Sequence, residues 1–417
     1  MTVAERKLPV HAPMDQYRVD GGELVVGGER LSVLAARVGQ TPFYAYDRTL
    51  LRARVAELRA ALPEAIKLHY AMKANPMPAV VAFMAGWVDG IDVASAGELK
   101  VALDCGANPQ EVSFAGPGKR DAELRQAVAS KVLINVESFR EIGALEAISQ
   151  ELGLPARVAV RVNPDFELKG SGMKMGGGPK QFGVDTEQMP ELLVKIGRAG
   201  LAFEGFHLFA GSQNLRPESI CEAQQKSFDL AVRLAQDAPL PVKFLNLGGG
   251  FGIPYFPGEQ RFDLKPIGDN LGELLDRAKT ELPHAEFVIE LGRYLVGEAG
   301  VYVARVVDRK VSRGQIYLVT DGGLHHHLSA SGNFGQVVRK NYPVTISRKA
   351  SVSDGEREIS SVVGPLCTPL DLLADRMSLP VAQVGDLAVV FQSGAYGISA
   401  SPQGFLGHPA CAEVLVG

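Results

Sequence analysis

Between residues 47 and 300 the chain alternates two patterns: short apolar runs bounded by Gly, Pro, Asn or Asp, and longer stretches whose apolar positions recur at helical spacing. The short runs predict strands at Leu68–Met72, Gly90–Ala94, Val112–Ala115, Val132–Val136, Arg157–Val162, Gly205–Phe209, Phe244–Leu247 and Phe287–Leu291. Strand-helix units in this number, over roughly 250 residues, predict a closed (β/α)8 TIM barrel rather than an open sheet. The flanks differ. Gly21–Gly28 reads as two short strands, Leu31–Arg37 as a helix, and Thr41–Asp47 as a strand ending in a helix N-cap. Beyond residue 300, Val301–Val307, Gln315–Val319, Glu358–Val363 and Asp386–Phe391 alternate with turns, an all-β texture. The expectation is an α/β chain with N-terminal strands (1–40) joining a C-terminal β-barrel or β-sandwich domain (301–417), and a barrel between them (41–300).

Polar residues collect at the C-terminal ends of the barrel strands. Lys73 follows the first, Ser95 and Glu98 the second, Asn135 and Glu137 the fourth, Arg161 and Asn163 the fifth. Ser212 and Gln213 follow the sixth, Gly248–Gly250 the seventh, and Glu290 and Arg293 the eighth. In a barrel that face carries the active site, and the interior is expected to be filled with apolar side chains.

Composition narrows the partners. Lys plus Arg (43) nearly balance Asp plus Glu (47), for a net charge of -4, which argues against a nucleic-acid surface. Met1–Pro9 has charges but no apolar signal region, and no membrane-spanning apolar run occurs, so a soluble, cytoplasmic protein is expected. Cys105, Cys221, Cys367 and Cys411 form no C-x-x-C pair and are expected as reduced thiols. Met173–Pro179 reads as a mobile loop. His325-His326-His327 raises a metal, but adjacent residues of a strand cannot share a face and no carboxylate partner is evident, which favours a substrate-side or solvated loop.

Three features carry chemistry. Lys73 ends a buried run, and Asn75-Pro76 turns the chain away at once. An amine held there, partly desolvated, can lose its proton and attack a carbonyl, as Schiff-base chemistry requires, although a lone strand-end lysine is ordinarily one that reaches for water. Leu247–Gly252 closes a strand with backbone that no side chain obstructs, which suits an anion such as phosphate or simply a tight turn. Ser212 and Gln213 add donors beside it, and Glu290 with Arg293 puts a carboxylate and a guanidinium at the last strand end. Together they describe a site for pyridoxal 5'-phosphate: aldehyde to Lys73, phosphate to Gly248, Gly249 and Gly250 with Ser212, ring nitrogen to Glu290.

These segments, with Asp92–Glu98, Arg161–Pro164, Gly211–Gln213, Gly364–Cys367 and Gly394–Gly397, resemble the pyridoxal-phosphate decarboxylases of the alanine-racemase-like fold, specifically the diaminopimelate and ornithine decarboxylase superfamily. The resemblance covers nearly the whole chain. It implies α-decarboxylation of an amino acid or aminoacyl derivative, with Asp92, Arg161, Phe209, Gly292, Arg293 and Tyr396 also at the cofactor and Arg293, Thr368, Asp371 and Tyr396 at the substrate. It further implies a head-to-tail homodimer in which Cys367, the candidate proton donor to Cα, reaches the site from the facing subunit. A glutamate at position 290, where racemases of this fold place an arginine, favours decarboxylation.

The chain departs from the family's pattern at informative places. Phe209 stands where a histidine usually stacks on the cofactor, so His207 is not expected to inherit that role. The family's Cys-Glu-Ser becomes Cys367-Thr368-Pro369, without the carboxylate that holds the far end of diaminopimelate, and Phe405–Pro409 replaces the usual ending. These departures resemble a side branch similar to decarboxylases acting on glutamyl groups tethered to carrier proteins or accompanying exosortase clusters. A true meso-diaminopimelate decarboxylase and a non-catalytic, partner-binding relative are the alternatives.

Overall fold

A computed structural model describes residues 10–166, 173–174, 176–336, 338–349 and 356–417. The charged start Met1–Pro9 and Met175 of the loop at 173–179 lie outside the described residues. The chain divides into two compact units, one of Arg52–Gly252 with Phe262–Leu295, the other of the chain up to Leu51, Ile253–Arg261 and Val296–Gly417.

The first unit is the barrel. Its strands are β1 (Ile66–Ala71), β2 (Gly90–Val93), β3 (Val112–Phe114), β4 (Leu133–Val136), β5 (Arg157–Asn163), β6 (Ala202–Leu208), β7 (Phe244–Gly249) and β8 (Glu286–Leu291). Each is parallel to its neighbour, and β8 pairs with β1 through Ile289↔Leu68 and Glu290↔His69, so the sheet closes. All eight expected strands are present. Helices return the chain between them, and those after β2 and β4 start where a serine side chain takes up a free backbone donor. Ser95 Oγ accepts from Glu98 N–H at 3.1 Å while the Glu98 carboxylate accepts from Ala94 N–H at 2.7 Å, which fixes the start of Ala96–Asp104. Phe139–Leu152 likewise starts on Ser138 and ends at Gly153, whose φ of 64° suits glycine.

The barrel interior differs from the expected apolar filling. Leu68 and Tyr70 alternate with Lys67, His69 and Ala71 on β1, and the inward set of the barrel includes His69, Asp92, Ser113, Asn135, His207, Asn246 and Glu290, all buried. Leu68, Tyr70 and the bulky apolar residues of their parity face the helices, where a strand covered by helices buries most surface, while Leu133 and Val288 line the interior floor.

The second unit is built of sheets. Its longest strand, Gly300–Ser312, pairs antiparallel with Phe43–Asp47, Leu387–Val390 and Gln315–Thr320. Phe43–Asp47 therefore belongs with the sheets, because all five of its residues are buried there. Gln315–Thr320 continues to Arg357–Val363 and then Leu372–Pro380, while Ala412–Val416 lies parallel to Phe43–Asp47. Leu24, Val26, Leu31, Leu34, Phe43, Val301, Val303, Val389 and Val416 form one core, each large side chain contributing about 1.5–3 kcal/mol by leaving water. No helix among the described residues is long and apolar enough to cross a membrane.

Candidate active site

Lys73 sits in a single 3-10 turn, Met72–Ala74, directly after β1. Tyr70 Oη donates to the Asn75 carbonyl at 2.8 Å, and Asn75 Oδ1 accepts from Met77 N–H at 3.2 Å, so the turn is tied on both sides before Pro78–Ala85 begins. Gly292 is required opposite, because a Cβ there would stand 2.9 Å from both the Ala71 carbonyl and the Ala74 Cβ. The Lys73 side chain is 43% exposed, its Nζ 3.9 Å from Glu290 Oε1 and 5.6 Å from the centre of the Phe209 ring. The strand-end amine thus faces a carboxylate and an aromatic ring.

Glu290 is 6% exposed. Its Oε2 lies 3.0 Å from His207 Nε2 and 3.5 Å from Asn246 Nδ2. Burial pushes its acidity down, but the hydrogen bond from His207 and the charges of Lys73 and Arg161 outweigh burial and hold its pKa at about 2. An ionised carboxylate only accepts, so the proton of the His207 bond belongs on Nε2. Sequence reasoning assigned His207 no role; the signal was its inward parity beside Asn246, with which it is in register.

Arg161, at the end of β5, is held by Glu137 at 3.3 Å and lies over the Phe182 ring at 4.8 Å. Glu137 also accepts from Gly116 N–H and Gly183 N–H. Burial disfavours the Glu137 anion, yet Arg161 and Lys119 bring its pKa below the ordinary value. Asp92, at the second layer of the interior, has Oδ1 3.1 Å from His69 Nδ1.

The glycine loop carries two left-handed residues, Gly248 (φ 71°) and Gly250 (φ 74°). A Cβ on Gly249 would lie 2.1 Å from the Glu290 carbonyl, and one on Gly248 would lie 2.7 Å from the Leu208 carbonyl. At the neighbouring strand end Gly211–Ser212 pairs with Met173–Lys174, so part of the expected loop at 173–179 is a short strand. Ser212 Oγ is buried and has no protein partner among the described residues. A side-chain-free loop beside an unpartnered hydroxyl, with an amine facing a buried carboxylate, matches the phosphate, aldehyde and ring nitrogen of pyridoxal phosphate. Arg293 opens a short helix, Arg293–Val296, just after Glu290.

Cys367, Thr368, Asp371 and Tyr396 belong to the sheet unit. Cys367 is exposed on the loop between Arg357–Val363 and Leu372–Pro380. Thr368 Oγ1 accepts from Leu370 N–H at 3.3 Å. Asp371, expected at the substrate, is instead turned inward, 3% exposed, with Oδ1 accepting from Leu324 N–H at 2.6 Å and Oδ2 from Leu366 N–H at 2.8 Å. It ties the Cys367 loop to the histidine triplet. Tyr396 has the strained φ of 53° for a bulky residue, and its carbonyl accepts from Ser329 Oγ at 2.9 Å. The triplet is no solvated loop: His325, His326 and His327 are all buried and none lies in a strand, which also removes the strand-face argument. His327 Nε2 lies 2.9 Å from Ser393 Oγ and His326 Nε2 2.9 Å from the Pro409 carbonyl.

A closed parallel barrel with this lysine, carboxylate and glycine loop defines a pyridoxal-phosphate enzyme. The profile described as "Pyridoxal-dependent decarboxylase, pyridoxal binding domain" matches residues 48–297, and the chain belongs to that family of amino-acid decarboxylases, which use pyridoxal phosphate. It is 39% identical, over 90% of its length and 89% of the relative's, to the L-glutamyl-[BtrI acyl-carrier protein] decarboxylase of Niallia circulans. It is 34% identical to the diaminopimelate decarboxylase of Aquifex aeolicus, over 98% of this chain and 94% of that one. Among solved structures, diaminopimelate decarboxylase of Helicobacter pylori complexed with L-lysine superposes with a TM-score of 0.81 at 27% identity, covering 93% of this chain and 94% of that one.

Proposed function

We propose that this decarboxylase removes the α-carboxylate of a glutamyl-type aminoacyl unit held on a carrier protein, rather than of a free diamino acid. The observation that carries this reading is Asp371. A free diamino acid needs a carboxylate for its distal end, position 368 is a threonine, and both Asp371 oxygens are engaged by backbone N–H groups. The likeness to the Niallia circulans enzyme supports the same choice.

Pyridoxal phosphate, when bound, supplies an electron sink for the pair left on Cα as carbon dioxide departs. In this reading Lys73 Nζ binds the aldehyde, and Gly248, Gly249, Gly250 and Ser212 hold the phosphate. Glu290, ionised throughout the physiological range, holds a proton on the ring nitrogen, with His207 and Asn246 fixing its second oxygen. Arg161 adds positive charge near Glu290, Asp92 holds His69 beneath it, Phe209 offers an aromatic face, and Gly292 lets the lysine turn approach. Arg293 and Tyr396 contact the substrate carboxylate and cofactor, and the Cys367 thiol gives the proton to Cα. Two copies of the chain share each site, with Cys367 of one serving Lys73 of the other.

The test is carbon dioxide release by the cofactor-loaded protein from a glutamyl-pantetheine thioester and from meso-diaminopimelate, lysine, ornithine, arginine and glutamate. Turnover of the thioester with silence on the free diamino acids is expected. Efficient turnover of meso-diaminopimelate would overturn the reading.

A further inference from the structure

At the end of the barrel opposite Lys73, a cavity of about 470 Å³ opens among the strand N-termini. Lys67 braces it through Glu111 at 3.2 Å and Glu286 at 2.8 Å, and His69 and Ser113 form part of its lining. Both also belong to the polar interior: His69 Nδ1 meets Asp92 Oδ1, and Ser113 Oγ accepts from Asn135 Nδ2 at 2.7 Å. Glu290 is the direct register partner of His69 on the neighbouring strand. The interior is therefore stacked from floor to mouth as Lys67–Glu286, His69–Asp92, Glu290–His207 and Lys73.

Four polar atoms within this stack, His69 Nε2, Asp92 Oδ2, Asn135 Oδ1 and His207 Nδ1, are buried and have no protein hydrogen-bond partner among the described residues. Leaving such an atom unsatisfied costs about 1–3 kcal/mol. Ala159, a small inward residue, lies beside Asn135, and the floor cavity opens directly beneath His69 and Ser113. Successive inward layers are about 6.6 Å apart along a strand, a gap that one hydrogen-bonded water bridges. A polar, roomy site with several partners per water is where proteins keep internal water.

We propose that the barrel interior binds a file of water molecules joining the floor cavity to Glu290, with His69 and Asp92 as its positioning residues, so that the Glu290–Lys73 pair exchanges protons with solvent through the barrel floor. The established reaction makes such a supply useful whatever the substrate. The Cα–carboxyl bond breaks, carbon dioxide leaves, a C–H bond forms, and one proton per turnover is drawn from solvent. Burial works against the His69 cation, but Asp92, Glu111 and Glu290 outweigh it and raise its pKa above the ordinary value, which keeps an exchangeable proton midway along the path.

A crystal structure of the holoenzyme at a resolution that orders internal solvent should show waters bonded to His69 Nε2, Asp92 Oδ2, Asn135 Oδ1 and His207 Nδ1. An interior without them would overturn the proposal. Asn135→Leu, with circular dichroism to verify its fold, places an apolar group in the middle of the file. After a rapid pH jump, the cofactor absorption band of this variant should relax more slowly than wild type by about tenfold, as expected when a proton relay is cut. If Asn135→Leu misfolds, Ser113→Val makes the same test from the floor. Relaxation at the wild-type rate in a folded variant would refute the floor as the proton route, even with waters present.

Discussion

At the scale of single residues, the site turns on how Glu290 remains an anion inside the barrel. A buried carboxylate left alone would take up a proton; here one oxygen faces Lys73 and the other is met by His207 and Asn246. His207→Leu should therefore raise the Glu290 pKa and lower kcat by about tenfold to a hundredfold, with His207→Gln recovering part of the loss, since the amide still donates. The pH profile of the cofactor spectrum and of kcat checks this, and a profile like wild type would remove His207 from the account. The placement of Lys73 and Glu290 at the barrel mouth was open to sequence reasoning because each ends a strand beside a chain-breaking glycine or proline. His207 was not, because a histidine inside a strand looks the same whether it packs or donates. Asp371 misled for the opposite reason: its neighbours in sequence pointed to substrate, and its partners are backbone groups brought together only by the fold.

At the scale of elements, Asp371 acts as a staple for the loop that presents Cys367. Asp371→Ala should leave the Leu324 and Leu366 N–H groups without their acceptor and lower stability by about 3 kcal/mol, measurable by urea unfolding; a change under about 0.5 kcal/mol, the range of neutral surface substitutions, would show that the loop holds itself. The barrel strands were legible because their apolar runs are short, regularly spaced and bounded by turn residues. Val344–Ile346, Leu372–Pro380 and Ala412–Val416 were not anticipated. Leu372–Pro380 carries Asp375 and Arg376 in its middle, with Arg376 at φ 45°, so its alternation is broken. The polar barrel interior was present in the alternation of Leu68, His69 and Tyr70, but the general expectation of an apolar filling hid it.

At the scale of the whole molecule, the sheet unit contains a buried histidine whose proton affinity the fold suppresses. Burial holds the His327 pKa at about 3. A base with a lowered folded pKa binds fewer protons folded than unfolded, so stability is unaffected above about pH 6.5 and falls as pH drops from there toward 3. For His327 alone the loss between pH 6.5 and pH 5 is about 2 kcal/mol. Urea unfolding at pH 7 and pH 5 should show it, and His327→Gln should show a flatter pH dependence. An unchanged slope would mean the ring titrates normally. The proposed cofactor chemistry is anchored on the lysine turn after β1. The most direct test is borohydride reduction of the purified holoenzyme followed by peptide mapping. The pyridoxyl group is expected on Lys73, with no stable attachment and no carbon dioxide release in Lys73→Ala. Attachment to any other lysine, or turnover by Lys73→Ala, would contradict it.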